Sequence, residues 1–158
     1  MTVIKSKRKE SKIEVYYNAV RLKEEIDCLI LRSFGIYSRN SPLRDKYSRL
    51  AKEDEFIFSV IEHHKASLSD KSNELISFIS AANEIYPRTK VDYETRFCNQ
   101  NNALATARSM MSELNSIVGL FDVDISVFRN VVLLLDRQIS LLKRWKQKDK
   151  NTFKRQFL

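Results

Sequence analysis

The residue types that most often carry chemistry are few in this chain, and their spacing does not suit a metal. The only two histidines, His63 and His64, are adjacent, so on a helix they point to different faces and lack the i, i+4 spacing of a zinc pair. A di-iron bundle needs inward Glu-x-x-His pairs, whereas Glu62 directly precedes His63 and no second such motif exists. The sequence therefore predicts no metal site and no cofactor.

Nucleophilic and acid–base catalysis also lack their usual groups. Serines are plentiful, but none lies in a nucleophile elbow, and the adjacent carboxylates Glu24–Glu25 and Asp54–Glu55 are typical of solvated helix faces. Cys28 and Cys98 lie within helical apolar patterns, so we interpret both as buried small hydrophobic residues, with a free reactive thiol as the alternative. We expect a protein that is not an enzyme.

Positive charge is concentrated at the two ends of the chain. Residues 1–12 hold five cations against one acid, a net +4, and residues 143–158 hold seven cations against one acid, a net +6. The whole chain carries +8, so residues 13–142 sum to −2. Such ends attract phosphate backbones, anionic membranes or acidic protein surfaces without a pocket, although solvated tails that maintain solubility are the alternative interpretation.

The leading hypothesis from this charge distribution is nucleic-acid binding through phosphate contacts. No recognition-helix or aromatic-platform motif accompanies the cations, so we expect steep salt dependence and little base reading. Trp145 continues a periodic apolar face and is expected to pack at the end of the fold. The candidate nucleic-acid-binding residues are Lys143, Arg144, Lys146, Lys148, Lys150, Lys5, Lys7, Arg8, Lys9, Arg39, Arg44 and Lys46.

Four consecutive amides, Asn99 to Asn102, interrupt the predicted third helix. A helix has no face that excludes four successive positions, so at least one amide must face inward or towards a partner. Two interpretations remain open: one buried amide satisfied by the backbone, or a hydrogen-bonding surface for RNA, protein or a second copy of this chain.

Composition places these residues on helices. Only 2 Gly and 2 Pro occur among 158 residues, which argues against turn-rich β folds and glycine-rich phosphate loops. No signal peptide is visible and the longest apolar run, Val131–Leu135, is far below the ~18 residues of a membrane span. We therefore expect one cytoplasmic domain with no membrane role.

Apolar periodicity predicts four helices, over Lys12–Phe34, Asp54–Tyr86, residues 93–118 and residues 125–147. The predicted N-caps are Ser11, Asp92 and Asp124, and Gly35, Pro87 and Gly119 are the predicted stops, with a possible kink over 67–72. The fold class predicted is all-α, an antiparallel up-down four-helix bundle with a basic C-terminal extension. Its parts are a basic arm over 1–11, the bundle over 12–147 and a basic flexible tail over 148–158. Three leucines of the fourth helix lie beside its main apolar stripe: Leu133, Leu134 and Leu141. They either widen the face that packs in the core or form a surface for oligomer contacts.

Two stretches of the chain resemble a known family. The first is Ala81-Ala82-Asn83-Glu84-Ile85-Tyr86-Pro87, followed by Asp92-Tyr93-Glu94-Thr95-Arg96. The second is Ile139-Ser140-Leu141-Leu142-Lys143-Arg144-Trp145-Lys146. Both resemble the small bundle proteins similar to the accessory variability determinant (Avd) of diversity-generating retroelements, which are related to proteins encoded in intervening sequences of ribosomal RNA. One departure is Arg144, where the family pattern has glycine before the tryptophan.

The resemblance implies a basic, non-enzymatic bundle that forms a homo-oligomer, a pentamer in the family pattern. It also implies binding of a reverse transcriptase and its template RNA, in support of mutagenic cDNA synthesis, and so RNA rather than DNA as the first partner. A protein-interaction or scaffolding bundle with no nucleic-acid role is the alternative function.

Overall fold

The computed structural model describes residues 2–36, 55–121 and 123–157, with side chains described from residue 14 in the first range and from residue 58 in the second. Over these ranges every regular element is helical. Four long helices are present: α1 (Thr2–Leu31), α2 (Glu55–Glu84), α3 (Lys90–Phe121) and α4 (Arg129–Phe157). Short 3₁₀ turns, Ser33–Gly35 and Ile125–Phe128, lie after α1 and before α4. The all-α prediction is confirmed at this level.

The α2–α3 connection shows how local hydrogen bonds set a helix start. The Asp92 carboxylate accepts hydrogen bonds from the backbone N–H groups of Arg88 and Thr89, at 3.1 and 3.0 Å, and the Asp92 N–H donates to Thr89 Oγ1 at 3.2 Å. This reciprocal pattern is a capping box. The cap is therefore Thr89, and the prediction that Asp92 itself caps the helix was wrong by three residues.

The fourth helix was predicted to start at residue 125, where the structure has the 3₁₀ turn Ile125–Phe128, and α4 itself starts at Arg129. Asp124 Oδ1 accepts a hydrogen bond from the Ser126 N–H at 3.0 Å, as an N-cap should, and the pKa of Asp124 is lowered because the Ser126 N–H stabilises its charged form. Gly35 takes the left-handed conformation predicted for it, with φ of 75°. Phe34 beside it is fully buried and stacks on Phe128 at 6.4 Å, which ties the end of α1 to the start of α4.

The two chain ends differ from the predictions made for them. The backbone of α1 is helical from Thr2, so residues 2–11 continue the helix and Ser11 is not its cap. α4 continues to Phe157, where a flexible tail over 148–158 was predicted. Its buried face continues beyond Trp145, because Asp149 and Phe153 are both buried. α2 is helical without a break over 67–72.

The core lies between helices that pack in a closed order: α1 against α2 and α4, and α3 against the same two. This packing is compatible with a four-helix bundle. Leu141 is buried and Leu134 packs against the core, whereas Leu133 is 57% exposed. Tyr16 of α1 is 39% exposed. None of the described helices combines the length and apolar composition needed to cross a membrane.

Contacts between α1 and α4 indicate that these two helices run in opposite directions. Asn18 of α1 donates to the Leu134 carbonyl of α4 at 3.0 Å, and Glu14, one turn earlier, contacts Arg137 at 2.7 Å. Residue numbers therefore increase along α1 in the direction in which they decrease along α4. The start of α1 and the end of α4 therefore extend towards the same end of the molecule.

Candidate nucleic-acid interface

The C-terminal half of α4 presents cations to solvent. Lys143, Arg144, Lys148 and Lys150 are exposed, and Lys146 is half-buried. Lys154 and Arg155, in the last turn, are exposed as well. These seven cations span three to four turns of helix and include all five α4 residues predicted to bind nucleic acid.

The only acid of this segment, Asp149, faces inward. Asp149 is 7% exposed and meets the 3% exposed Arg96 of α3. Arg96 Nε lies 2.5 Å from Asp149 Oδ2, and Arg96 Nη2 lies 3.1 Å from Oδ1, so the pair is bidentate. The negative charge is thus neutralised inside the fold. As a result, every exposed charged side chain from residue 143 to residue 157 is positive.

Neighbouring groups complete the hydrogen bonding of this ion pair. The fully buried Gln100 donates to Asp149 Oδ2 at 2.7 Å, and Arg96 Nη1 donates to the Ala82 and Ile85 carbonyls at 3.3 and 2.9 Å. These carbonyls belong to the end of α2, where helical partners run out. The buried member of the amide run is therefore Gln100, and its partner is a carboxylate, not the backbone.

Trp145 packs beside the same pair, as predicted. It is 6% exposed, and the Arg96 guanidinium lies 5.1 Å from its ring centroid, within cation–π range. Asn102, at the other end of the amide run, is exposed and donates to Cys98 Sγ at 3.9 Å, a weak bond.

An aromatic cluster fixes the last two turns of α4 to the start of α3. The Tyr93 ring lies 5.8 Å from Phe153 and 6.2 Å from Phe157, and 6.1 Å from Phe97 with an interplanar angle of 23°. Burial raises the pKa of the Tyr93 hydroxyl, and the nearby Asp149 charge raises it further. The cation-rich part of α4 is therefore held in place by the packing of its last turns against α3.

One side of this face forms an open pocket of about 290 Å³ between α3 and α4. Its lining residues are Phe97, Lys143, Lys146, Gln147 and Lys150. The three lysines are separated by three and four residues, so they share one side of the helix. Lys146 Nζ lies 5.1 Å from the centroid of the Phe97 ring. Among the described side chains, none of these ammonium groups has a carboxylate within 4.0 Å.

The other side of α4 forms a second, more open groove, which contains Arg144 and Lys148 together with Gln147, Asn151 and Thr152. The predicted α4 cations therefore divide between two grooves that meet at Gln147. Both grooves follow the helix axis, an arrangement that suits contacts with successive phosphates of one backbone.

The remaining predicted site residues lie in the first turns of α1 and in the segment 37–54. Lys5, Lys7, Arg8 and Lys9 lie on the helical backbone of α1, which extends towards the cation-rich end of α4, but their side chains are outside the described residues. Arg39, Arg44 and Lys46 lie in 37–54, outside the described residues altogether.

A separate polar cluster joins α2 to α3 around Glu113. Its carboxylate accepts hydrogen bonds from Lys71 at 2.8 Å and Ser67 at 2.9 Å, and lies 3.1 Å from His64 Nδ1. Burial raises the pKa of Glu113, but the hydrogen bonds from Lys71, His64 and Ser67 outweigh it and leave the pKa below the usual range. His63 is exposed, and no group of potential metal ligands converges within the described ranges.

Both cysteines correct a prediction. Cys28 and Cys98 are exposed and carry free thiols, although we interpreted them as buried. Each cysteine lies between core positions of its helix, and at such a position apolar periodicity does not decide whether the side chain is buried or exposed.

Sequence reasoning missed the α3 residues of this interface. Phe97 and Arg96 lie about fifty positions from their α4 partners, and nothing local marks them. The signal available was charge: Asp149 stands alone in a cationic segment, which is a costly place for an acid unless a cation is paired with it. Comparisons with known protein families, with curated proteins and with solved structures found no match to this chain.

Proposed function

We propose that this chain is a non-enzymatic, nucleic-acid-binding accessory protein of a reverse transcriptase of the diversity-generating retroelement type. In this proposal it is an up-down four-helix bundle that binds template RNA and cDNA through α4. The observation that carries the proposal is the uniformly positive surface from residue 143 to residue 157, which exists because Asp149 is buried against Arg96. Such a surface favours polyanions.

The retroelement part of the proposal rests on the resemblance of residues 81–96 and 139–146 to the Avd family. It includes a polymerase partner, a preference for RNA over DNA and assembly into a homo-oligomer, with five copies as the family pattern suggests. Co-purification with a reverse transcriptase of this type, co-expressed with the protein, and light scattering of the free protein test those parts separately from nucleic-acid binding.

The nucleic-acid part is tested by charge removal at exposed positions. Lys143, Arg144, Lys148 and Lys150 are changed together to glutamine in the full-length protein, because truncation before Asp149 would leave Arg96 buried without its partner. Affinity for a structured RNA and a length-matched duplex DNA is measured by fluorescence anisotropy between about 50 and 200 mM salt. We expect the variant to bind at least an order of magnitude more weakly, with a salt slope for the duplex DNA that is smaller by about 3.6.

A matched variant controls for net charge. The control residues are exposed, lie outside the cationic surface of residues 143–157 and form no ion pair within the described part of the chain; they are Arg21, Arg32, Arg108 and Arg129. Their change to glutamine removes an equal number of charges from the total of +8. We expect this control to retain most of the affinity. Equal weakening of both variants, or no binding by the folded wild-type protein, would exclude the α4 surface as the binding site.

A scaffolding function is the second candidate, and it is favoured by the apolar residues at the opposite end of the molecule. Leu31, Leu120 and Ile125 are 84%, 59% and 70% exposed, and they lie at the end of α1, the end of α3 and the start of the turn before α4. Exposed apolar groups of this kind are typical of protein contacts. Changing all three to serine should abolish co-purification with a protein partner in the scaffolding case and leave RNA affinity unchanged.

A further inference from the structure

The pocket between α3 and α4 combines an aromatic ring with unpaired cations. Phe97 is half-buried, and its ring is held in place by Tyr93, which is 6% exposed and packs on the aromatic residues at the end of α4. The ring is therefore a fixed surface at the floor of an open pocket, whose rim carries Lys143, Lys146 and Lys150.

We propose that this pocket binds one unpaired nucleotide of a single-stranded nucleic acid, an inference that rests on the proposed function. The base stacks on Phe97, and the lysines contact the phosphates on either side of it. Stacking on an aromatic ring beside a cationic groove is the general mode by which proteins bind single strands without reading sequence. Gln147 also lines the pocket, and its side-chain amide can form a hydrogen bond with the base or sugar.

Lys146 shows why the ring is accessible to a ligand. Its ammonium group covers the Phe97 ring at 5.1 Å, without a described carboxylate near it, so only a cation–π contact holds it there. That contact is weak at a partly exposed site. A lysine side chain has several rotatable bonds, so the ammonium can move to a phosphate while a base takes its place on the ring.

The size of the pocket and the position of the ring favour a single strand over a duplex. A volume of about 290 Å³ lies just below the roughly 300–1,000 Å³ of small-ligand pockets, so the pocket suits a single small group such as one base and not several. Bases inside a duplex are stacked on one another and cannot reach a protein ring without being extruded. A duplex would contact only the lysines.

The test compares a single strand with a duplex, using the full-length protein and its Phe97→Leu variant. The probes are an oligouridine of about 12 nucleotides and a duplex RNA of the same length, both labelled for fluorescence anisotropy. We expect Phe97→Leu to weaken oligouridine binding about fivefold or more, the lower limit for loss of one stacked base, while duplex affinity stays within about twofold. Tyr17→Leu, which removes a 59% exposed ring on α1, should change neither affinity.

A second variant reports stacking directly. Phe97→Trp places an indole in the pocket. We expect oligouridine to quench the fluorescence of this variant more strongly than that of the wild-type protein, whose single tryptophan is Trp145. Circular dichroism and thermal melting establish that both variants fold. Unquenched Phe97→Trp fluorescence, or equal loss of single-strand and duplex affinity in Phe97→Leu, would overturn the nucleotide site. Either result would leave the α4 charge surface intact, whereas absence of binding by the wild-type protein would remove both proposals.

Discussion

Arg96 and Asp149 form a buried bidentate ion pair that joins the first half of α3 to the last turns of α4, across 53 positions of sequence. The pair has two consequences. It fixes the C-terminal turns of α4 to the body of the protein, and it removes the one negative charge from an otherwise cationic surface. Structure and surface charge at this end thus depend on the same contact.

Replacing Asp149 by asparagine should destabilise the protein severely. The change leaves Arg96 buried without a compensating charge, for which we expect a loss of about 3–5 kcal/mol in the free energy of unfolding. Urea unfolding followed by circular dichroism measures it. Asp136→Asn, at an exposed acid of the same helix, is the control and should change stability little. A loss no larger than that of the control would mean that the ion pair contributes nothing to the fold.

A pair of buried amides should couple α1 to α4. Asn18 Nδ2 donates to Gln138 Oε1 at 2.7 Å, and Gln138 Nε2 donates to the Val15 carbonyl at 3.2 Å. Asn18→Ala leaves a buried polar atom without its partner, so we expect a cost of about 1–3 kcal/mol. Adding Gln138→Met removes that atom, and the double variant should lose less than the sum of the two single changes. Strict additivity in this double-mutant cycle would argue against the coupling.

The Glu113 cluster should contribute stability that is lost in acid. Since the folded pKa is lowered, the contribution is fully present above the ordinary value of about 4.5 and disappears as the pH falls through the folded value. Urea unfolding of the wild-type protein and of Glu113→Gln at a series of pH values tests this. We expect the stability difference between them to be largest near neutral pH and to shrink below about pH 4.5. A difference that is constant with pH, or that grows in acid, would contradict the assigned hydrogen bonds from Lys71, His64 and Ser67.

The exposed cysteines predict ready thiol chemistry in the folded protein. Cys28 and Cys98 should both react with a chromogenic disulfide reagent without denaturant, since each thiol faces solvent. Single changes to serine should each remove one reactive equivalent and leave the thermal midpoint nearly unchanged. Thiols that react only after addition of urea would instead favour the burial predicted from the sequence.

The parts of the fold that follow from local patterns were predictable. The scarcity of glycine and proline together with apolar periodicity gave four helices, and the Asp124 cap and the left-handed Gly35 lie where their residue types predict. The helix ends were less predictable. Asp149 interrupts the apolar stripe, so periodicity stopped near residue 147, although the side chain is buried in an ion pair and the helix continues to Phe157.

The residues of the candidate site were likewise predictable only in part. Lys143, Lys146 and Lys150 could be assigned to one helix side from their spacing alone, because a helix places residues three and four apart on a common side. Phe97 could not be assigned, because its distance to Lys146 depends on how α3 packs against α4.

The sequence by itself determined the helical class of this protein, the positions of most helices and the concentration of positive charge at its ends, because helix periodicity, capping and charge are properties of residues close together in the chain. Only the tertiary structure decided which groups face each other across helices. It paired Asp149 with Arg96, placed Phe97 under Lys146 and turned both cysteines outward. Such contacts arise from the packing of whole helix faces, where a rotation of one residue position, about 100°, changes which side chains meet.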